Sequence, residues 1–528
     1  MLTCTSPKLS RDVRVVLMAR ACTLLRGLGL LITLYVGSLA CAAQTTRSSL
    51  WGYRGPVPSA VAQPRYHYKT LYFQQKIDHF GFWQNGTFSQ RYLVGAEHFS
   101  TPGSPILFYT GNEGDISWIC DNTGFVWEAA EELGALVVFA EHRYYGQSLP
   151  FGNSSYSDAK FLQYLSSAQA LADYAVLIRH IKRNVAGARK SPVVAVGGSY
   201  GGMLAAWLRM KYPQSVVGAI AASAPIWKFS GLTSCGGFAE VTTRTFNLSN
   251  PACPASVRRS WAAIDRLAIS AGGLRFLEAE FHLCVSLTGL ADVLALKAWL
   301  AGTWSMVAMV DYPYPASFLQ PLPAWPVKAV CAHLTDPTLP DKDLVRHVAS
   351  AVLVYYNYTG TVPCLNISQT ATQSLGVTGW WYQSCTELPM PMCSNGKSDM
   401  FEDHPWDQEA FAADCQRQWG VRARFDWPLV FYGGRNITAH SNIVFSNGLL
   451  DPWSAGGVLH SPTASLVALV ITDGAHHADL RASNPSDPVS FRNVRRAELK
   501  AVREWCGHHG TSSLRNQPVS KSWLHTSI

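Results

Sequence analysis

Short uncharged runs rich in β-branched and aromatic residues recur along this chain, and they alternate with stretches whose apolar residues fall three or four apart. The first pattern belongs to strands buried on both faces and the second to helices lying against them, so their alternation predicts a mostly parallel sheet covered by helices. ILFYTGNEGD begins as a buried strand at Ile106 and breaks into a Gly/Asn turn, and LVVFAEHRYYG repeats the form from Leu136. Between Ser167 and Val185, SSAQALADYAVLIRHIKRNV spaces Ala, Leu, Val and Ile at helical intervals. PVVAVGGSYGG follows as strand then turn, MLAAWLRMKY returns to helix, and VVGAIAASAPIW is a further strand ending near Pro225.

Beyond that point the texture changes. Helical patterns dominate and eight cysteines gather between Cys235 and Cys415. Strand texture returns with NIVFSNGLLDPW and LVALVITDGAHH, and FRNVRRAELKAVREWC closes the pattern as an amphipathic helix. The expected organisation is an α/β domain in two parts, 69–229 and 431–508, interrupted by a mainly helical, cysteine-rich insertion over 230–430. Residues 44–68, rich in Ser, Pro, Ala and Arg, form a linker or pro-segment, and 509–528 a tail.

The first 43 residues have the order of a secretory signal: Lys and Arg, then the apolar LGLLITLYVGSLACAAQ from Leu28, then small residues at Ala40, Cys41, Ala42 and Ala43. The apolar run is shorter than the roughly 20 residues a bilayer core requires, so cleavage is expected, with no membrane attachment afterwards. The basic leader is long, and Met18 is an alternative start. Three of the 13 cysteines fall in this segment. No C-x-x-C pair occurs, so Cys235, Cys253, Cys284, Cys331, Cys364, Cys385, Cys393 and Cys415 are expected to form four disulfides rather than a zinc site; no metal or other cofactor is expected. Cys120 and Cys506 stand apart, either paired with each other or free. N-x-S/T sequons at Asn85, Asn153, Asn247, Asn357, Asn366 and Asn436 agree with export.

Composition narrows the class. Within 528 residues, 48% are hydrophobic and 15% charged, which excludes collagen-like, coiled-coil and largely disordered chains. Half of the formal charge of +8 comes from the leader, and the +4 that remains is no nucleic-acid footprint.

The chemistry concentrates where strand texture ends. Gly197-Gly198-Ser199-Tyr200-Gly201 fits G-x-S-x-G, the tight strand-to-helix turn that lifts a serine hydroxyl above a sheet, and it sits between a β run and a helix pattern. A serine nucleophile needs a base and an acid to orient that base, in the order Ser, Asp or Glu, His. Asp451 ends the pattern of NIVFSNGLLD and His476 lies just beyond LVALVITDGA, so both emerge at the same sheet edge as Ser199. His477 is a rival base, and the residues alone do not choose between adjacent imidazoles. The oxyanion requires N–H donors: Tyr200 after the nucleophile, and a second from Gly111 or Asn112 in the Gly111-Asn112-Glu113-Gly114 turn. Glu141, His142 and Arg143 either line the same mouth or make structural ion pairs.

GGSYGGMLAAWLRMKYP, FAEHRYYGQSLPFG, ILFYTGNEGD, NIVFSNGLLDPW and DGAHHADLR resemble the signature segments of the serine peptidases that comprise lysosomal Pro-X carboxypeptidase and dipeptidyl-peptidase II, over about Leu71 to Trp505. LYFQQKIDHFGF, DYPYPASFLQPLPAWPVKAVC and YYNYTGTVPCLNIS look more like the carboxypeptidase side. The resemblance implies an α/β-hydrolase fold with a helical, disulfide-bonded insertion, and a triad of Ser199, Asp451 and His476. It also implies a lysosomal location, short peptide substrates ending in Pro-X, and release of the residue after proline at acid pH. The leader, Cys506 and the tail from Gly507 fall outside it.

A proline-selective peptidase needs an apolar pocket beside its nucleophile, for which Met203, Trp453 and Met390 are the candidates. A histidine base with an ordinary pKa of about 6.5 is mostly protonated at acid pH. Arg481, acting directly or through His477, is the candidate to oppose that protonation. His477, Arg481 and Arg143 are also candidates to bind the substrate carboxylate. Two other readings stay open: a dipeptidyl-peptidase II-like aminopeptidase that anchors a substrate ammonium, and a non-enzymatic α/β-hydrolase-fold binding protein. The sequence leaves the oligomeric state open, a homodimer included.

Overall fold

The computed structural model describes residues 65–367 and 377–507. The leader, nearly all of the 44–68 segment and the 509–528 tail lie outside the described residues. Eight strands, β1 (Lys69–Lys76), β2 (Thr87–Gly95), β3 (Ile106–Thr110), β4 (Leu136–Ala140), β5 (Val193–Gly198), β6 (Gly218–Ala222), β7 (Ile443–Gly448) and β8 (Leu466–Ile471), form one sheet in the order β1-β2-β4-β3-β5-β6-β7-β8. From β4 through β8 every neighbouring pair is parallel, while β1 and β2 add an antiparallel edge. This is the sheet of the α/β-hydrolases.

The central strands are apolar on both faces because helices cover both. Phe108, Val138 and Ala195 join one core with the helices Ser167–Asn184 and Tyr200–Lys211. Their neighbours Leu107, Val137 and Val194 join a second core with Gly124–Leu133 and the C-terminal helix Val489–Trp505. The antiparallel edge alternates exposed and covered positions along β1, as expected of a strand with one face in water.

Between β6 and β7 the described residues form helices joined by loops, with isolated bridges in place of strands, and they build a core of their own. Its centre is the helix Leu290–Met309, apolar and long enough to cross a membrane, yet mostly buried inside the protein. Lys297 on this helix pairs with Asp265 and Glu402, which ties its one cation into the insertion. Four disulfides, Cys235–Cys393, Cys253–Cys331, Cys284–Cys364 and Cys385–Cys415, use all eight clustered cysteines. Cys120 and Cys506 are free thiols.

Candidate active site

Ser199 occupies the turn between β5 and the helix Tyr200–Lys211 with φ 59°, the left-handed backbone that a sharp elbow imposes on a non-glycine residue. Such a turn forces strand and helix together. A Cβ on Gly197 would lie 2.2 Å from the Gly201 carbonyl oxygen, and one on Gly202 would lie 2.7 Å from that of Ala222, so neither position accepts a side chain without movement.

The loops after β7 and β8 bring Asp451 and His476 to this end of the sheet. His476 Nδ1 lies 2.7 Å from Asp451 Oδ2, and both side chains are buried. The carboxylate is itself held, accepting from the Trp453 backbone N–H at 3.0 Å. The His476 backbone is fixed at both ends: its N–H donates to Met309 O, and its carbonyl accepts from the Tyr312 hydroxyl. Ser199 and His476 line one cavity. The imidazole that meets Asp451 is His476, not His477.

His477 has another place. Its backbone N–H donates to Ser223 Oγ, and its ring packs so closely on Gly198 that a Cβ there would stand 2.9 Å from its Cδ2. Burial first, then the neighbouring His476 and Arg481, hold its pKa well below the usual histidine value. A lowered pKa makes His477 a poor clamp for a carboxylate, which runs against its candidacy as the carboxylate-binding residue. Arg481 lies outside the cavity lining, with its guanidinium over the Tyr312 ring (4.6 Å) and the Phe318 ring (5.5 Å). Arg143 is removed from the candidates. It is fully buried, with Nε on Asp173, Nη2 on Asp173 and the Lys76 carbonyl, and Nη1 on the Ile77 and Tyr164 carbonyls, so no donor is left for substrate. Glu141 is likewise structural, paired with Arg91 and accepting from Ser148. His142 reaches the Tyr200 hydroxyl at 3.1 Å and stays beneath the site.

Of the expected oxyanion donors, Tyr200 begins its helix, where the first N–H groups have no intrahelical acceptor. Gly111 is corrected: its N–H donates to Ala140 O at 3.0 Å, spent on extending the β3–β4 pairing. Asn112, one residue on and lining the cavity, is what the loop has left to offer.

Met203, Trp453 and Met390 all line this cavity together with Ser199. The sequence pattern missed most of the remaining wall. Gly302, Ser305, Met306 and Met309 come from one face of the long insertion helix, and Phe318 and Trp380 from segments near it. Their helical spacing marks them as core, and nothing local marks them as facing a site some hundred residues away in sequence. Glu113 also lines the cavity; burial pushes its carboxyl up to about 7. Among the sequons, Asn85, Asn153, Asn247, Asn366 and Asn436 are exposed, while Asn357 is half-buried and donates to Val362 O.

Residues 75–498 match the family described as serine carboxypeptidase S28. Lysosomal Pro-X carboxypeptidase of Homo sapiens is 55% identical over 448 residues, covering 85% of this chain and 90% of that protein. The enzyme of the same name from Mus musculus is 56% identical over 451 residues, covering 85% and 91%. Thymus-specific serine protease of Mus musculus is more distant, at 28% over 461 residues, covering 83% and 87%. An intact nucleophile elbow beside a buried Asp–His pair, in a chain this similar to named peptidases over most of its length, places it in the serine carboxypeptidase S28 family.

Proposed function

We propose that this protein is a lysosomal serine carboxypeptidase that releases the C-terminal residue following a penultimate proline in short peptides. The observation that carries the reading is the hydrogen-bonded Asp451–His476 pair meeting Ser199 at one apolar cavity. Ser199 Oγ attacks the proline carbonyl, His476 takes the hydroxyl proton and delivers it to the leaving amino acid, and Asp451 keeps the proton of the neutral imidazole on Nδ1. The N–H groups of Tyr200 and Asn112 receive the oxyanion. Met203, Met390 and Trp453 give the proline ring an apolar wall, and the helical insertion limits access to short chains. The five exposed sequon asparagines are proposed to carry glycans.

The test uses the purified protein with peptides ending in Pro-X whose N-terminus is blocked, with products identified by mass spectrometry. Release of X alone at acid pH is expected. Release of an X-Pro dipeptide from unblocked peptides, with the blocked ones left intact, would replace this reading by a dipeptidyl-peptidase. A protein whose Ser199 fails to react with a fluorophosphonate would be no serine hydrolase.

A further inference from the structure

Glu113 is left over by this chemistry. It follows Asn112 in the turn after β3, and it lines the cavity shared by Ser199 and His476. Its Oε2 is shielded from solvent and has no hydrogen-bond partner among the described residues, although the side chain of Asn112 and its own backbone N–H attend the carboxyl group. An orphaned acid oxygen at a reacting centre is costly in the empty enzyme and becomes useful when a substrate supplies its partner.

A carboxypeptidase has a matching deficit. The free carboxylate of its substrate lies one peptide unit from the scissile bond and must be received by a donor. Among the described residues, the cavity lining contains no Lys and no Arg. Arg143 is committed to Asp173, Arg481 stands against Tyr312 and Phe318, and His477 is buried with its pKa pushed well below the usual histidine value. Among the side chains that do line the cavity, a protonated carboxyl is the strongest hydrogen-bond donor to an anion, through a short O–H···O⁻ contact.

Resting on the carboxypeptidase reading above, we infer that Glu113, in its protonated form, is the residue that receives the C-terminal carboxylate of the substrate. The titratable groups around it are His476 and His477 from the loop after β8, Tyr109 on β3 and Tyr145 after β4; Asp115, two residues along, is tied to Arg91. Of these, His476 pulls the Glu113 carboxyl down, while burial dominates and pushes it up to about 7. The sign follows. Below that pH the proton is present and the substrate carboxylate is bound; as pH rises through it, carboxylate faces carboxylate and binding is lost. A histidine base alone gives activity that rises with pH, so Glu113 supplies the falling limb that confines the enzyme to acid.

The experiment measures kcat and KM from pH 4.5 to 8 for an N-blocked Pro-Phe peptide and for its C-terminal amide, in the full-length protein and in Glu113→Gln and Glu113→Leu. In the wild type, the ratio of kcat/KM for acid over amide should fall at least tenfold between pH 5 and 8, mainly through KM. Glu113→Gln, which keeps a donor that does not titrate, should flatten that pH dependence. Glu113→Leu should lower the ratio at pH 5 by at least tenfold. Ratios that track the wild type in both variants would overturn the inference. So would a Glu113→Gln variant whose loss falls equally on acid and amide, which would make the residue a support for the triad. Fluorophosphonate labelling and product analysis of the wild type report on the carboxypeptidase reading by themselves, so its failure is distinguishable from failure of the Glu113 assignment.

Discussion

Asp311 tests whether this fold is tuned to acid. It lies just beyond the helix Leu290–Met309 and is 5% exposed, with one oxygen accepting the Val327 N–H at 2.9 Å. Burial pushes its carboxyl from an ordinary 3.8 up to about 7. A raised carboxyl favours the folded state while it is neutral: its contribution is complete below about pH 4 and is lost as pH rises through 7. The full gap between 3.8 and about 7 corresponds to about 4 kcal/mol, of which roughly 2–3 kcal/mol is lost between pH 5 and pH 8. Asp311→Asn keeps an oxygen for the Val327 N–H and removes the titration, while any fixed cost of the new amide is the same at both pH values. The quantity to measure is the change in apparent Tm between pH 5 and 8, in wild type and variant, by differential scanning fluorimetry. The variant should lose less on going to pH 8, by roughly 2–3 °C for a chain of this size. Equal losses in the two proteins would show that Asp311 is already ionised in the fold, and the burial argument would fail.

Three further outcomes concern the triad and its surroundings. Ser199→Ala should remain folded and lose about four to six orders of magnitude in kcat, and a variant keeping a tenth of wild-type activity would displace Ser199 as nucleophile. His476→Gln should be nearly silent, whereas His477→Gln should retain turnover with an altered pH profile; the reverse ranking would move the base to His477. Arg481 is one of the charges holding His477 neutral. Arg481→Gln should therefore shift the acid limb of kcat/KM to higher pH, and an unmoved limb in a folded variant would exclude Arg481 from the mechanism.

The parts of the site legible in the sequence are those written in contiguous residues. Strand, turn and helix around Ser199 are adjacent in the chain, and Asp451 and His476 each follow a recognisable strand, so a parallel sheet brings them to one edge. What escaped was set by pairing between distant segments. Whether the Gly111 N–H is free depends on how β3 registers against β4, and whether Arg143, in the turn after β4, faces substrate depends on Asp173 in the helix Ser167–Asn184. The wall formed by Gly302 to Met309 exists only because the insertion folds back over the sheet. Disulfide partners were hidden for the same reason, since Cys235 closes on Cys393 across most of the insertion.

The interrupted sheet also dictates when this enzyme can come into being. β6 pairs directly with β7, but the whole insertion separates them in the chain. During synthesis the serine strand and its elbow emerge early, while Asp451 and His476 arrive only after every helix of the insertion has been made. Contacts of such long sequence separation form late, because the intervening loop must close before they stabilise anything. In a nascent chain the elbow serine therefore has neither base nor orienting acid until β7 and β8 have been made and docked.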